Sequence, residues 1–515
     1  MLRVVALLLG LFALSCGPAL SETYYVVPLD AVVAGTPDGS EGLPFLSIDK
    51  AFASGKVKGG DTLLLKNGAY GPVTIQANAA FDVPVTIMSQ NGKAAHFDRI
   101  LLAQDTRNIT LKNLSVWPRD PSSIGPHSLV RAYTTTSDIT ADSLDIRSEE
   151  NAIEFMQWDA AKWNARKFNG ILLQGSRGLA IRNTLTGIYT GISLGEDSQI
   201  IDNIVNGFNG DGINAVSRTT VRGNRILNCV ATDANHDDGF QSFASNGGSI
   251  TDLVLDSNVI IEWTGAANHP LRGTLQGIGL FGGPYVNLTV VNNLVAVSHS
   301  HGISIYGAKG AVVINNTVVN IRGLSGSVPY IAIRPLKAGA PPSTDVLVAN
   351  NVAMSFQGTA STTDRVEFRN NSVIGIPSLV FENPAAFDYR PKASSGYIDT
   401  GDATVAPATD VAGHSRPSGP LPDRGVYEVS VHDAPVDPVA IDPVAIDPVA
   451  VPIERPVKSP TITTITGDKT TTTTTISPGG SKWIMLDKRK VVETAPPGSI
   501  PPRSPLPFFR GKDRN

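Results

Sequence analysis

The sequence predicts an all-β protein wound as a parallel β-helix, and three observations carry that expectation. Glycine is plentiful (49 of 515 residues) and aromatics are few (6%), which suits many short strands joined by tight turns. Short β-rich segments then recur, each with an asparagine at Asn183, Asn203, Asn224, Asn258, Asn293, Asn316, Asn351 and Asn371. Their steps are 20, 21, 34, 35, 23, 35 and 20 residues, a base period with insertions that loop out at corners. A second series keeps step with the first: Asn169-Gly170-Ile171, Thr190-Gly191-Ile192, Asp211-Gly212-Ile213, Asp238-Gly239-Phe240, Gln276-Gly277-Ile278 and His301-Gly302-Ile303. Two series in phase describe the coils of one solenoid, with neighbouring rungs about 4.8 Å apart.

Each part of the chain follows from this frame. Residues 1–21 read as a secretory signal, with Arg3 at its positive end, an apolar core and a small-residue cleavage site at Ala19-Leu20-Ser21. The apolar run is short for a membrane span, so the expected mature protein has none and is secreted or periplasmic. Lipid attachment at Cys16 is the alternative. Cleavage leaves Cys229 alone, so no internal disulfide forms and the thiol is expected to be a small buried hydrophobe. Residues 22–430 are expected to form the β-helix domain. The asparagines are expected to stack into an amide ladder at one corner. Ladder packing would also account for most of the N-x-[ST] sequons at Asn108, Asn113, Asn287 and Asn315. From 431 to 515 the chain turns to "VDPVAIDPVAIDPVA" and a threonine-rich run, read as a low-complexity disordered tail. The net charge of −4 gives no reason to expect a nucleic-acid partner, and a monomer is expected.

Stacking converts spacing into position. The residue before each glycine forms a column, which puts Asp211 and Asp238 on adjacent rungs with Asp237 beside them. Carboxylates this close need a cation between them or a proton on one of them. Asp211, Asp233, Asp237 and Asp238, with Asn235, offer oxygens of the kind calcium takes. The glycine column is expected to leave a shallow trough open to a ligand. Phe243, Phe281, Tyr306 and Arg334 are expected to line it, rings for sugars and a guanidinium for carboxylates. His236, His269, His299 and His301 are four of the eight histidines and fall in one 66-residue window beside this cluster. That enrichment marks the same place as a functional site.

Several motifs carry family resemblances. "TYYVVPLDAVVAGT", "GLPFLSIDKAFASGKVKGGDTLLLKNGAYG", "FDYRPKASSGYIDTG" and "HSRPSGPLPDRGVYE" resemble the opening and closing segments of secreted bacterial right-handed parallel β-helix proteins, the pectate-lyase-like superfamily. "NGDGIN", "HDDGFQ", "SHGISIYG" and "IRPLK" resemble the ordered motifs of polygalacturonase-type glycoside hydrolases. That resemblance implies Asp211, Asp237 and Asp238 as acid/base carboxylates of an inverting hydrolase, with His301 assisting; His236 is a further catalytic candidate from the histidine clustering. Arg334 and Lys337 would hold the substrate carboxylate. The pattern departs from the family: Gly210 replaces its threonine, Arg334 and Lys337 are three apart, and an extra rung with Gln276 separates Asp238 from His301. The calcium-dependent polysaccharide lyases on this scaffold offer the reading placed first. Their resemblance implies an aspartate cluster holding Ca2+ against a uronate, with Arg272 or Lys309 removing the C5 proton. A C5 epimerase shares that step. A non-catalytic surface protein binding acidic polysaccharide is the remaining class.

Overall fold

The computed structural model describes residues 21–429, apart from 77, 125, 126, 245–247 and 324, together with 474–476 and 481–483. The expected signal (1–21, with Cys16) lies outside these residues except for Ser21. The expected tail (431–515) also lies outside them, except for a short antiparallel pair, Thr474–Ile476 with Ser481–Trp483.

Strands return in order and pair in parallel. A 14-stranded sheet makes one face, and a 21-stranded sheet bends into the other two. Inward residues alternate with outward ones along each strand, as in Val85–Ile87 and Val346–Val348, whose end residues are all buried. The resulting core is continuous from Val26 to Val366. A helix, Ile48–Ala53, closes the first coil. Ser47 caps it by accepting the Lys50 N–H at 3.1 Å, and Ile48, Ala51 and Phe52 are buried beneath it. At the other end, residues 374–429 lie along one side of the solenoid. Phe381, Tyr389 and Tyr427 pack there against Ile261, Leu294 and Val352.

The asparagine ladder is present over its whole length. From Asn183 to Asn351, each side-chain oxygen of the next rung accepts both the backbone N–H and the amide N–H of the rung before, at 2.8 to 3.1 Å. The residue before many ladder positions takes a left-handed conformation, for example Asp202 (φ 54°) and Asn292 (φ 54°). Such a turn favours Asn and Asp. This corrects the reading of the sequons. Asn108, Asn113, Asn287 and Asn315 are themselves left-handed turn residues (φ 52° to 56°), outside the ladder.

Candidate functional site

One face of the solenoid carries the column read from the sequence. Its strands are β1 (Asn169–Leu173), β2 (Ile192–Leu194), β3 (Ile213–Asn214), β4 (Asp238–Phe243), β5 (Gln276–Gly282), β6 (His301–Tyr306) and β7 (Tyr330–Arg334). Their inward residues stack in register: Ile171, Ile192, Ile213, Phe240, Ile278, Ile303 and Ile331. Asp238 pairs with Gln276, and a one-residue shift then sets His301 opposite Tyr330. The extra rung is present, and it holds Asp238 and His301 two rungs apart.

The carboxylates meet on β3 and β4. The Asp238 backbone N–H donates to Asp211 Oδ1 at 3.2 Å, and Asn214 donates to Asp211 Oδ2 at 3.3 Å. Gln241 donates to Asp238 Oδ2 at 2.7 Å, while Asp238 Oδ1 is buried with no hydrogen-bond partner. Asp237 accepts from Asn235 at 2.9 Å and from the buried Cys229 thiol at 3.5 Å. Burial is the first cause of a raised proton affinity at all three. It pushes Asp211 up to about 6, against the two hydrogen bonds it receives. It pushes Asp237 up to about 7, with Asp211 adding to the rise. Asp238 is raised well above the usual carboxylate range, with Asp211 and Asp237 adding to burial.

The expected calcium cage does not assemble. Asp233 points to Lys167, with which it pairs at 2.9 Å on the surface. Asn235 spends its amide on Asp237. Among the described residues, no three Asp, Glu, His or Cys side chains come together as ligands for a metal ion.

A second surface lies beyond the carboxylates. His299 stacks on His301 at 5.1 Å, and His236, in the exposed loop before β4, lies 6.3 Å from His299. Phe281 meets His301 and Tyr306 edge-on, at 5.0 and 5.2 Å. Tyr330 meets the His301 ring at 5.3 Å and bonds its Nδ1 at 2.9 Å. Arg334 lies over Tyr306 and Tyr330, at 5.9 and 5.7 Å, and also bonds Gln357. Burial, then His299, Arg334 and His236, push His301 down to about 4, so its imidazole is neutral at pH 7. Lys337 is exposed just past Arg334.

Other expectations need correcting. Arg272 is not a free base: it donates to the fully buried Glu262 at 3.1 and 3.2 Å, beside Arg322. Lys309 is exposed on Ala308–Ile314 of the 14-stranded sheet, paired with Val286 and Thr344, and so belongs to a different face. His269 bonds the Met156 carbonyl at 2.8 Å and packs on Trp263. Phe243 leaves the aromatic line, because a bulge after Gln241 sets it opposite Gly282. The glycine column makes no outer trough. A Cβ on Gly191 would meet the Gly212 carbonyl, and one on Gly239 would meet Ile260, so these glycines allow rungs and core to close inward.

Sequence reasoning missed two participants. Tyr330 lacks the x-G-I signature, since the register slips by one there. Gly279 was also passed over. Its missing side chain makes room for the Asp238 carboxyl and the Phe281 ring, both of which a Cβ would strike. A glycine within a strand run is the signal that marks such a close approach.

Residues 161–329 match the family model described as the right handed beta helix region. The fold is therefore the right-handed parallel β-helix. A comparison with curated proteins returned no significant match. Among solved structures, pectate lyase Pel9A is 15% identical, with 80% of this chain and 97% of that one covered and a TM-score of 0.41. The A-module of the Azotobacter vinelandii mannuronan C-5 epimerase AlgE4 is 14% identical (68% and 96% covered, TM-score 0.44). The PL6 family alginate lyase AlyGC is 12% identical (84% and 59% covered, TM-score 0.39). Among the described residues no helix is long and apolar enough to cross a membrane.

Proposed function

We propose that the protein cleaves an acidic, uronate-containing polysaccharide by acid–base hydrolysis at Asp211, Asp237 and Asp238. One observation carries this reading: three carboxyls gathered on two adjacent rungs, with Asp237 and Asp238 buried and Asp211 partly exposed beside them. Asp238, the most buried of the three and raised well above the usual carboxylate range, serves as the proton donor to the glycosidic oxygen. Asp211, raised only to about 6 and kept partly exposed, is ionised at pH 7 and takes a proton from the water that attacks the anomeric carbon as the glycosidic C–O bond breaks. Two carboxyls driven apart in proton affinity are what glycoside hydrolysis requires. Asp238 Oδ1 and the edge of the Phe281 ring both border Gly279. Arg334 and Lys337 supply charge for the uronate, and export by the 1–21 segment would bring the enzyme to such a polymer.

Calcium-assisted β-elimination, the first expectation from sequence, takes second place. Neither base expected from the sequence is available to it: Arg272 is committed to Glu262, and Lys309 lies on another face. The same holds for C5 epimerisation. The test is a panel of uronate polymers, with and without chelator, followed by reducing ends and by absorbance of unsaturated uronate. Reducing ends without unsaturation are expected in both conditions. Unsaturated products lost on chelation would reverse the order, and no product with retained binding would favour a non-catalytic binder.

A further inference from the structure

The two ends of the solenoid are finished differently. A helix, Ile48–Ala53, closes the first coil. The last coil presents Ser355–Gln357, Val366–Arg369 and Ser372–Val373, each paired with a neighbouring strand on one side only. Among the described residues, a bridge from Ser361 to Val366 is the one pairing these strands make beyond that. The core thins there: Phe356 and Phe368 are half-buried, and Val373 is 66% exposed. The chain then turns along the side of the solenoid, where Phe381, Tyr389 and Tyr427 pack, and leaves Ile376 and Leu379 exposed. Open strand edges beside apolar side chains are a template for a further strand.

The same chain carries a strand pair that lacks a sheet. Thr474–Ile476 and Ser481–Trp483 pair antiparallel and, among the described residues, join no other strand. A lone two-stranded hairpin is marginal in water. Its sequence brings Ile476, Trp483 and threonines, all suited to a strand. The distance to be covered is short. Val429, the last described residue of the solenoid, lies near the open end: the Gly425 N–H donates to the Asn350 carbonyl at 2.8 Å, and Asn350 follows Thr344–Ala349, the strand on which Val366–Arg369 stacks. Residues 430–473 add 44 more. At about 3.3 Å per extended residue, these reach far past the one rung that remains. Prolines recur from 435 to 460, so this stretch suits a spacer and not a strand. We infer that the strand pair 474–483 docks on the Val366–Arg369 edge, extends the 14-stranded sheet and covers Phe368, so that the last coil is closed by the chain's own C-terminal segment. A closed end also denies a second copy the edge on which it would stack. No part of this depends on the carboxylates.

Hydrogen exchange on the full chain, read by mass spectrometry, tests the docking. Wild type is compared with the double variant Thr475→Pro, Lys482→Pro, whose prolines break both strands of the pair. In wild type, segments 366–373 and 474–483 are expected to be protected together, to the same degree across a dilution series. In the variant both are expected to exchange about tenfold faster or more. The ladder segments around Asn258 and Asn293 are expected to keep their wild-type rates, which reports an intact solenoid. Exchange of 474–483 in wild type at the rate of an unstructured peptide would overturn the docking. So would a variant that loses protection at 474–483 alone. Protection at 366–373 that grows with protein concentration would give the edge to a second copy and overturn it as well.

Discussion

Asp211 and Asp238 are joined across one rung by a backbone bond: the Asp238 N–H donates to Asp211 Oδ1 at 3.2 Å. The parallel register therefore fixes the two carboxyls near each other, and no bridging cation is needed to do so. Burial then favours protonation of both, and at Asp238 the charge of Asp211 adds to it. The electrostatic state of this pair follows from how the solenoid stacks.

Titration of Asp237 should be visible in stability. Its carboxyl is raised from 3.8 to about 7, so between those values the folded protein binds more protons than the unfolded chain. Its contribution therefore falls as pH rises from about 4 to about 7. His301, lowered from 6.5 to about 4, works in the opposite direction over about 4 to 6.5. The difference between Asp237→Asn and wild type isolates the carboxyl. Calorimetric melting should show the variant gaining on wild type with rising pH and levelling above about 7. A difference independent of pH would contradict the assignment.

Glu262 should matter for stability and not for chemistry. It is fully buried, and besides Arg272 and Arg322 it accepts the Ser298 N–H and hydroxyl at 2.7 and 2.6 Å. Glu262→Ala strands these partners and is expected to cost about 3–5 kcal/mol in urea unfolding. Arg272→Ala should lower the unfolding midpoint while the folded enzyme keeps its kcat. A lost kcat in a folded Arg272→Ala protein would restore the arginine as a candidate base.

The ladder predicts a loss of its own. Asn258 accepts two N–H groups from Asn224 and donates to Val221 and Asn293, all in the interior. Asn258→Ala leaves buried groups unpaired and should cost at least about 1–3 kcal/mol. An unfolding free energy equal to wild type would mean that water replaces the amide.

Gly279→Ala should damage the site more than the fold. The new methyl meets Asp238 Oδ1 and the Phe281 ring, and both are ends of side chains that can shift. The expected result is a near-wild-type melting temperature with reduced kcat. Full activity would show that the placement of this carboxyl is not critical.

Much of this was legible in the sequence because stacking imposes a period. The asparagine and glycine series mark the rungs, and the order Asp211, Asp238, Gln276, His301 holds in the structure. What was not legible depends on local geometry or on distant partners. The bulge that displaces Phe243 and the slip that brings in Tyr330 have no periodic mark. The glycines face inward, where a Cβ would strike core side chains or the next rung's carbonyl, which simple strand alternation does not reveal. Arg272 looked free because Glu262 lies ten residues earlier, just past the strand Val259–Ile261. Asp233 looked like a calcium ligand because its partner Lys167 is 66 residues away.

The central claim is that Asp238 is the acid in hydrolysis of an acidic polysaccharide. Its most direct test is release of reducing ends from a uronate polymer by wild type and by Asp238→Asn, with both proteins shown to melt alike. The account predicts release by wild type, without unsaturated product, and none above background by the variant. Release by the variant at the wild-type rate would contradict it.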